Sequence, residues 1–285
     1  MEVVKIDNIK LKTGIDMPVF GLGTWQLTGD NCTDIVTRAL ALGYRHIDTA
    51  EMYGNESEVG EGIRSSGIPR RELFVTSKVQ PANLSYDSLI QACNDSLERL
   101  DTDYLDLYLI HWPNKNADMD EVFRGFKELI DSGKIKAMGV SNFTRKHILD
   151  AMPISRKYGV PITVNQVEYH PFLNQEELLD FSKEKEIVIT AYSPLARGDV
   201  LRNDIIQKIG SKYDKSPAQV TLKWLMQKGM IVIPKASSFE HMKENYEITD
   251  FELSEEDMSR LDNLSENKRK VTPGWHEFDY DLGTA

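Results

Sequence analysis

A carboxylate, a phenol, an ammonium and an imidazole in this sequence could act together on one substrate: Asp48, Tyr53, Lys78 and His111. A phenol titrates near about pH 10, which makes it a reluctant proton donor at neutrality. A lysine cation beside the phenol stabilises phenolate and lowers that pKa, and a carboxylate beside the lysine keeps it charged. A neutral imidazole can orient a carbonyl oxygen by hydrogen bonding. The four together make a general acid suited to reducing a carbonyl. Each residue alone has a plainer role available. Asp48 could cap a helix or join a core ion pair, and Lys78 could be a solvated strand end. His111-Trp112-Pro113 could be strand-end packing, and Tyr53 a surface aromatic.

Bringing these four to one place requires elements that end where they stand. Eight short apolar runs read as strands: 20–22, 46–48, 73–78, 104–110, 136–140, 163–167, 188–192 and 231–233. Most intervals between their ends hold one strand plus one helix, joined by a right-handed crossover. The last interval is longer, and Asp204–Tyr213 is the candidate for an extra helix there. Eight such steps predict an α/β protein with a (β/α)8 barrel rather than an open sheet. Helical faces support this. Ser85 reads as an N-cap before Leu89, Cys93, Leu97 and Leu100. Asp118 opens a helix with Val122, Phe126, Leu129 and Ile130 on its apolar side. Ser216-Pro217 reads as N-cap plus first-turn proline before Val220, Trp224 and Leu225. Residues 6–19, with a Thr13-Gly14 turn, predict an N-terminal β-hairpin. Residues 254–264 predict a final helix, followed by a tail with Pro273, Trp275, His276 and Phe278. With no linker in view, 1–285 reads as one domain. In a barrel the C-terminal ends of the strands converge on one mouth, and Asp48, Lys78 and His111 stand at three successive ends.

Composition narrows the partners. Forty percent of the residues are hydrophobic and 28% charged, an ordinary globular balance. Lysine plus arginine number 34 against 45 aspartate plus glutamate, a net charge of −11, which argues against a nucleic-acid groove or a polybasic membrane anchor. Two cysteines, Cys32 and Cys93, in no CxxC arrangement speak against a disulfide scaffold or zinc knuckle and for the cytoplasm. No apolar run approaches the roughly 18 residues of a membrane span, and MEVVKIDNIK lacks a signal-peptide core. Among motifs, Gly21 and Gly23 begin a GxG, but Gln26 breaks the dinucleotide fingerprint. There is no phosphate-binding GxxxxGK[ST], no HExxH and no GxSxG, so a barrel hydrolase lacks its nucleophile. A glycosidase-like pair of carboxylates stays open on composition. Glu56 and Glu168 are candidates, though nothing in the sequence pairs them.

Longer motifs carry a resemblance. Tyr44-Arg45-His46-Ile47-Asp48-Thr49-Ala50 is followed by Tyr53, Asn55-Glu56 and Gly60. Further on stand Lys136-Ala137-Met138-Gly139-Val140-Ser141-Asn142-Phe143 and Ile233-Pro234-Lys235. Gly21-Leu22-Gly23-Thr24-Trp25 and Leu109-Ile110-His111-Trp112-Pro113 complete the set. Over nearly its whole length the chain resembles the aldo-keto reductase family, and its compact tail resembles prokaryotic-type members. The resemblance implies NADPH-dependent reduction of an aldehyde or ketone by a monomer, with a small carbonyl compound as partner. It implies Tyr53 as proton donor, Lys78 and Asp48 as its tuners, and His111 as orienter of the carbonyl. It implies that Ser141, Asn142 and Gln166 hold the nicotinamide carboxamide and that Tyr192 stacks on the ring. Gly23, Thr24 and Asp48 would also touch cofactor, and Ser193 and Leu195 would line the pyrophosphate path. Trp25 and Trp112, with Tyr53 and His111, would wall the substrate pocket. Specificity is expected in the loops after strands 1, 4 and 7 and in the tail around Trp275 and Phe278.

Three departures from the family pattern bear on this. Ala236 replaces a serine or threonine, and His241 replaces an arginine; both family residues grip the adenosine 2′-phosphate. Lys235, Ser237 and Ser238 remain for that phosphate, and Glu244 and Asn245 stand where adenine contacts are expected. Arginine is a permanent bidentate cation, whereas histidine is charged only part of the time near neutrality. The expectation is a weakened NADPH preference, with NADH also accepted. Gln80 stands where many members have an aromatic residue, which predicts a wetter pocket there. The alternative reading is a cofactor-binding sensor or accessory subunit that turns over little.

Overall fold

The computed structural model describes residues 7–279. Strands β1 (Asn8–Lys10) and β2 (Asp16–Pro18) pair antiparallel as the expected hairpin, with Asn8 opposite Pro18. Ile6, the first residue assigned to that hairpin, lies outside the described span. The barrel opens with β3 (Leu22–Gly23), α1 (Gly29–Leu42), β4 (His46–Asp48) and α2 (Glu56–Ser65). It continues with β5 (Phe74–Val79), α3 (Tyr86–Leu100), β6 (Leu105–Ile110) and α4 (Met119–Asp131). Next come β7 (Ile135–Ser141), α5 (Arg145–Tyr158), β8 (Ile162–Glu168) and α6 (Glu176–Glu184). It closes with β9 (Val188–Tyr192), α7 (Asp204–Tyr213), α8 (Pro217–Gln227) and β10 (Ile231–Val232). Helices α9 (Phe239–Tyr246) and α10 (Glu255–Asp262) follow.

Strands β3 to β10 are parallel, each hydrogen-bonded to its neighbour in sequence. The ring closes at a seam. Gly21 N donates to Val232 O at 2.9 Å, Val232 N to Val19 O at 3.0 Å, and Gly23 N to Pro234 O at 3.2 Å. Phe20 therefore pairs with the last strand rather than with β4, which moves the first strand from the expected 20–22 to Leu22–Gly23. A Cβ on Gly23 would meet Ile233 O at 2.7 Å, so the seam requires glycine there.

The elements follow from the sequence pattern. Leu105 to Ile110 is wholly buried, as a parallel strand covered on both faces must be. Helix α3 buries Leu89, Cys93, Leu97 and Leu100 toward the barrel. Ser216 accepts from Gln219 N in a capping box with Pro217 in the first turn of α8. Helix α7 fills the long final step. A large core fills the space between strands and helices. A smaller one joins Phe74, Leu107, Leu109, Ala137, Val164 and Ile231 to Leu11 and Met17 of the hairpin segment, so the hairpin plugs one end of the barrel. The strands' C-terminal ends stay open at the other. Among the described residues no helix is long and apolar enough to cross a membrane.

Candidate active site

At the open end, Asp48 is the last residue of β4, Lys78 lies one residue before the end of β5, and His111 directly follows β6. Tyr53 sits in the short helical turn Glu51–Tyr53 after β4. Lys78 Nζ donates to Asp48 Oδ1 at 2.6 Å, to Thr49 O at 2.7 Å and to Tyr53 Oη at 3.2 Å. An ammonium has three N–H donors, and here all three are used. Because the Tyr53 oxygen accepts, its own proton is not spent on Lys78. The His111 ring meets the Tyr53 ring edge-on at 5.5 Å. The tetrad inferred from the sequence is assembled.

Burial sets the electrostatics. Lys78 and Asp48 are almost wholly enclosed. Burial alone would lower the Lys78 pKa, but the charges of Asp48 and Tyr53 and their hydrogen bonds more than offset it, so the ammonium is held above its usual range. Burial lifts the Asp48 carboxyl, against the pull of Lys78 and of Gln166 Nε2, which donates to Asp48 Oδ2 at 2.7 Å. The Tyr53 pKa is raised, not lowered as the sequence suggested. Burial is the largest influence, and the Lys78 cation offsets only part of it. The phenol is thus firmly protonated at neutrality. Burial and then Lys78 push His111 well below the usual histidine range, so its ring is neutral. Its Nδ1 is buried without a hydrogen-bond partner among the described residues.

Asp48, Tyr53 and His111 line the floor of a cavity of about 350 Å³, with Lys78 sealed behind Asp48 and Tyr53. Gly23, Thr24, Ser141, Asn142, Gln166, Tyr192 and Ser193 line one side of it, and Lys235 stands at its edge. Asn142 has φ +63° and Ser193 φ +47°, left-handed conformations that turn the chain sharply off β7 and β9. Tyr192 Oη donates to Asn142 Oδ1 at 2.8 Å; Asn142 Nδ2 donates to His111 O at 3.0 Å and to Ser141 Oγ at 3.1 Å. Ser141 Oγ donates to Gln166 O at 2.8 Å. The Gln166 side-chain oxygen accepts no protein hydrogen bond among the described residues and is left for a ligand donor. An amide acceptor beside a flat tyrosine ring fits a carboxamide-bearing ring such as nicotinamide.

Other expected residues lie apart from the cavity. Leu195 packs against the core, and Ala236 is buried in it, so neither side chain reaches the cleft. Ser237 and His241 are exposed, and Ser238 caps α9 by accepting from His241 N at 3.3 Å. Glu244 is half-buried and Asn245 buried on the same helix. Gln80 donates through Nε2 to Glu51 Oε1 at 2.8 Å, and Glu51 also gathers Asn83; Gln80 lines an adjoining hollow that shares Met52 and Trp275 with the cavity.

The outer wall comprises Trp25, Met52, Trp112, Val271, Pro273 and Trp275. Trp25 and Trp112 were expected there. Met52, Val271 and Pro273 were not singled out, and Trp275 only as part of the tail. Trp112 packs against Trp275 at 5.1 Å and Phe278 at 5.7 Å. The tail's Trp275 and Phe278 were the available signal for the residues after 270.

A barrel whose strand ends carry this tetrad matches a known family. The model of the Aldo/keto reductase family matches residues 19–266. The chain belongs to the aldo-keto reductase family. Members of this family are oxidoreductases that reduce carbonyl compounds with nicotinamide cofactors. This aldo-keto reductase is 45% identical over 264 residues to a glyoxal reductase of Bacillus subtilis (strain 168), covering 92% of this chain and 94% of the relative. It is 41% identical over 265 residues to a 9,11-endoperoxide prostaglandin H2 reductase of Trypanosoma cruzi (strain CL Brener), covering 92% of each. Its backbone is similar to that of an aldo-keto reductase crystallised in complex with NADPH, with a TM-score of 0.88, 33% identity and coverage of 95% of this chain and 91% of that one.

Proposed function

We propose that this enzyme reduces aldehydes and ketones to alcohols, with Tyr53 as the general acid. The observation that carries the reading is the Lys78 ammonium, bonded to Asp48 at 2.6 Å and to the Tyr53 oxygen at 3.2 Å on the cavity floor. When bound, the reduced nicotinamide supplies a hydride to the carbonyl carbon. Tyr53 then protonates the oxygen, and Lys78, held charged by Asp48, stabilises the phenolate that remains. His111, kept neutral by burial, orients the carbonyl oxygen without competing for the proton. Gln166, Ser141 and Asn142 hold the carboxamide, and Tyr192 gives the ring a flat support. Gly23, Thr24 and Asp48 adjoin them. Ser193 would flank the pyrophosphate path, and Leu195, its side chain packed on the core, would contribute there only through its backbone.

NADPH is the proposed cofactor, with NADH also accepted. Lys235, Ser237, Ser238 and His241 would meet the 2′-phosphate, with Ala236 contributing only backbone, and Glu244 and Asn245 would meet adenine. Trp25, Trp112, Tyr53 and His111 would enclose the substrate carbonyl. The similarity to a glyoxal reductase supports small dicarbonyls as a substrate class to try first. We place the activity in one domain over 1–285, a cytoplasmic monomer without nucleic-acid or membrane partners. Mixing the protein with NADPH, or with NADH, and a panel of small aldehydes should lower the absorbance at about 340 nm. A sample that oxidises neither cofactor with any carbonyl offered refutes the enzyme reading and favours a sensor.

A further inference from the structure

Glu56 and Glu168, the carboxylates left open as a possible pair, are both buried outside the catalytic floor. Glu56 is accounted for between α2, β5 and α3: it accepts from Ser77 Oγ at 2.5 Å, Ser96 Oγ at 3.2 Å and Arg99 Nε at 2.8 Å. Glu168, the last residue of β8, is wholly buried and does not line the cavity. It accepts from His170 Nε2 at 2.9 Å within its own bend. Its other two donors are backbone amides far along the chain, Lys270 N at 2.6 Å and Val271 N at 3.0 Å. A buried carboxylate satisfied this way gains charge-assisted bonds of fixed direction, so it sets where those amides sit.

What the amides carry is the outer wall. Val271, Pro273 and Trp275 line the same cavity as Tyr53 and His111. The far end of the same strap is fixed too. Glu277 accepts from Lys115 N at 2.9 Å and from His147 Nε2 at 3.1 Å. The Arg269 guanidinium lies over the Phe278 ring at 3.8 Å, and Arg269 Nη2 donates to Gln175 Oε1 at 3.0 Å. Gln175 Nε2 in turn donates to Glu168 O at 2.6 Å. Residues 269–278 thus form a loop with adjacent ends and its tip over the substrate cleft, a closed shape of the kind loops use to carry function.

We propose that Glu168 is a positioning residue for substrate selection. Its buried carboxylate anchors the Lys270 and Val271 amides and thereby sets how wide the Val271–Pro273–Trp275 wall stands from the reacting carbonyl. This rests on the carbonyl-reductase reading above.

The test compares Glu168→Gln, Lys270→Pro and Lys270→Ala with the wild type. Glutamine keeps one acceptor and loses the other. Proline at position 270 removes one anchored N–H without touching the buried carboxylate. Alanine removes the lysine's ion pair with Asp199 but keeps the N–H, and serves as the control. Each is assayed with NADPH on acetaldehyde and on a bulky aromatic aldehyde, alongside cofactor affinity and amide exchange at 271, and at 270 in the variants that keep that N–H. In Glu168→Gln and Lys270→Pro, KM for the bulky aldehyde should change about tenfold or more while kcat on acetaldehyde and NADPH affinity stay within about threefold. Amide protection should fall as well, and Lys270→Ala should behave as wild type. If Glu168→Gln fails to fold, Lys270→Pro decides alone. Active variants with unchanged selectivity and unchanged protection overturn this inference only. A wild type that reduces neither aldehyde overturns the carbonyl-reductase reading, and this inference with it.

Discussion

The floor and the outer wall of the cavity are built on different principles. The floor stands on consecutive strand ends, its lysine and aspartate sealed from water and every Lys78 donor assigned. The wall hangs on loops and the tail. Trp25 is 40% and Trp275 50% exposed, and the strap meets the barrel through a few bonds at Glu168, Gln175, Lys115 and His147. Groups that must be aligned with a reacting bond are fixed by the sheet. Groups that choose the substrate are suspended, where the chain can change without disturbing the chemistry. In this reading the floor sets rate and the wall sets KM.

The sharpest attack on the floor is Lys78→Met. It removes the cation that supports the phenolate and leaves Asp48 as an unpaired buried charge. Turnover should fall about 10²–10⁴-fold, and denaturant unfolding should show a loss of roughly 3–5 kcal/mol. A variant as stable and as fast as wild type would mean that the buried pair does neither job.

Acid should be the next most damaging treatment, again through the floor side. His46 is fully buried beside β5, and burial followed by the Lys78 charge lowers its pKa to about 3; His111 is lowered in the same sense. For a base held neutral in the native state, the unfolded chain binds more protons between its ordinary pKa and the lowered one. Stability is therefore full above about pH 6.5 and falls as pH drops, by at most about 1.4 kcal/mol per pH unit for each such histidine. Thermal melts between about pH 7 and about pH 4 check this, and His46→Gln should flatten the slope. An unchanged slope in that variant assigns the acid sensitivity elsewhere.

The wall should respond differently. Trp275→Ala opens the side facing Trp112, so KM for an aromatic aldehyde should rise about tenfold with kcat within about threefold. A fall in kcat without a change in KM would place Trp275 in the floor's role. Smallest is the effect at the proposed 2′-phosphate site, apart from the cavity. His241→Ala should weaken NADPH binding a few-fold and leave NADH binding unchanged, since it removes a side chain proposed to meet that phosphate. NADPH affinity that is independent of His241 contradicts the expectation.

The same contrast explains what could be read from residues alone. Apolar runs such as Tyr104 to Ile110 mark strands because burial on both faces demands them, and Asp48, Lys78 and His111 stand where those runs stop. The order of strands, the hairpin, α7, the start of α4 at Asp118 and the cap at Ser216 follow from local chemistry. Ser85 takes the expected N-cap position of α3 but makes no side-chain cap bond, donating instead to Ser88 Oγ at 2.9 Å. Of the wall, Trp25 and Trp112 were expected, and the rest was legible only as a tail carrying Trp275 and Phe278. Its anchors are backbone amides at Lys270 and Val271, which carry no side-chain signal, and their acceptor is about a hundred residues away. The hold of Glu51 on Gln80 and Asn83 joins residues 29 and 32 positions apart and was not legible either. The direction of the Tyr53 shift needed the depth of burial, which residue types do not reveal.

The account's central claim is that Tyr53 delivers the proton from a site that Lys78 and Asp48 prepare. Tyr53→Phe keeps the ring and removes only the hydroxyl. NADPH binding should stay within a few-fold of wild type while kcat/KM for aldehyde reduction falls about 10²–10⁴-fold. Reduction at near wild-type rate by that variant would contradict the assignment of the acid and the role of the buried pair behind it.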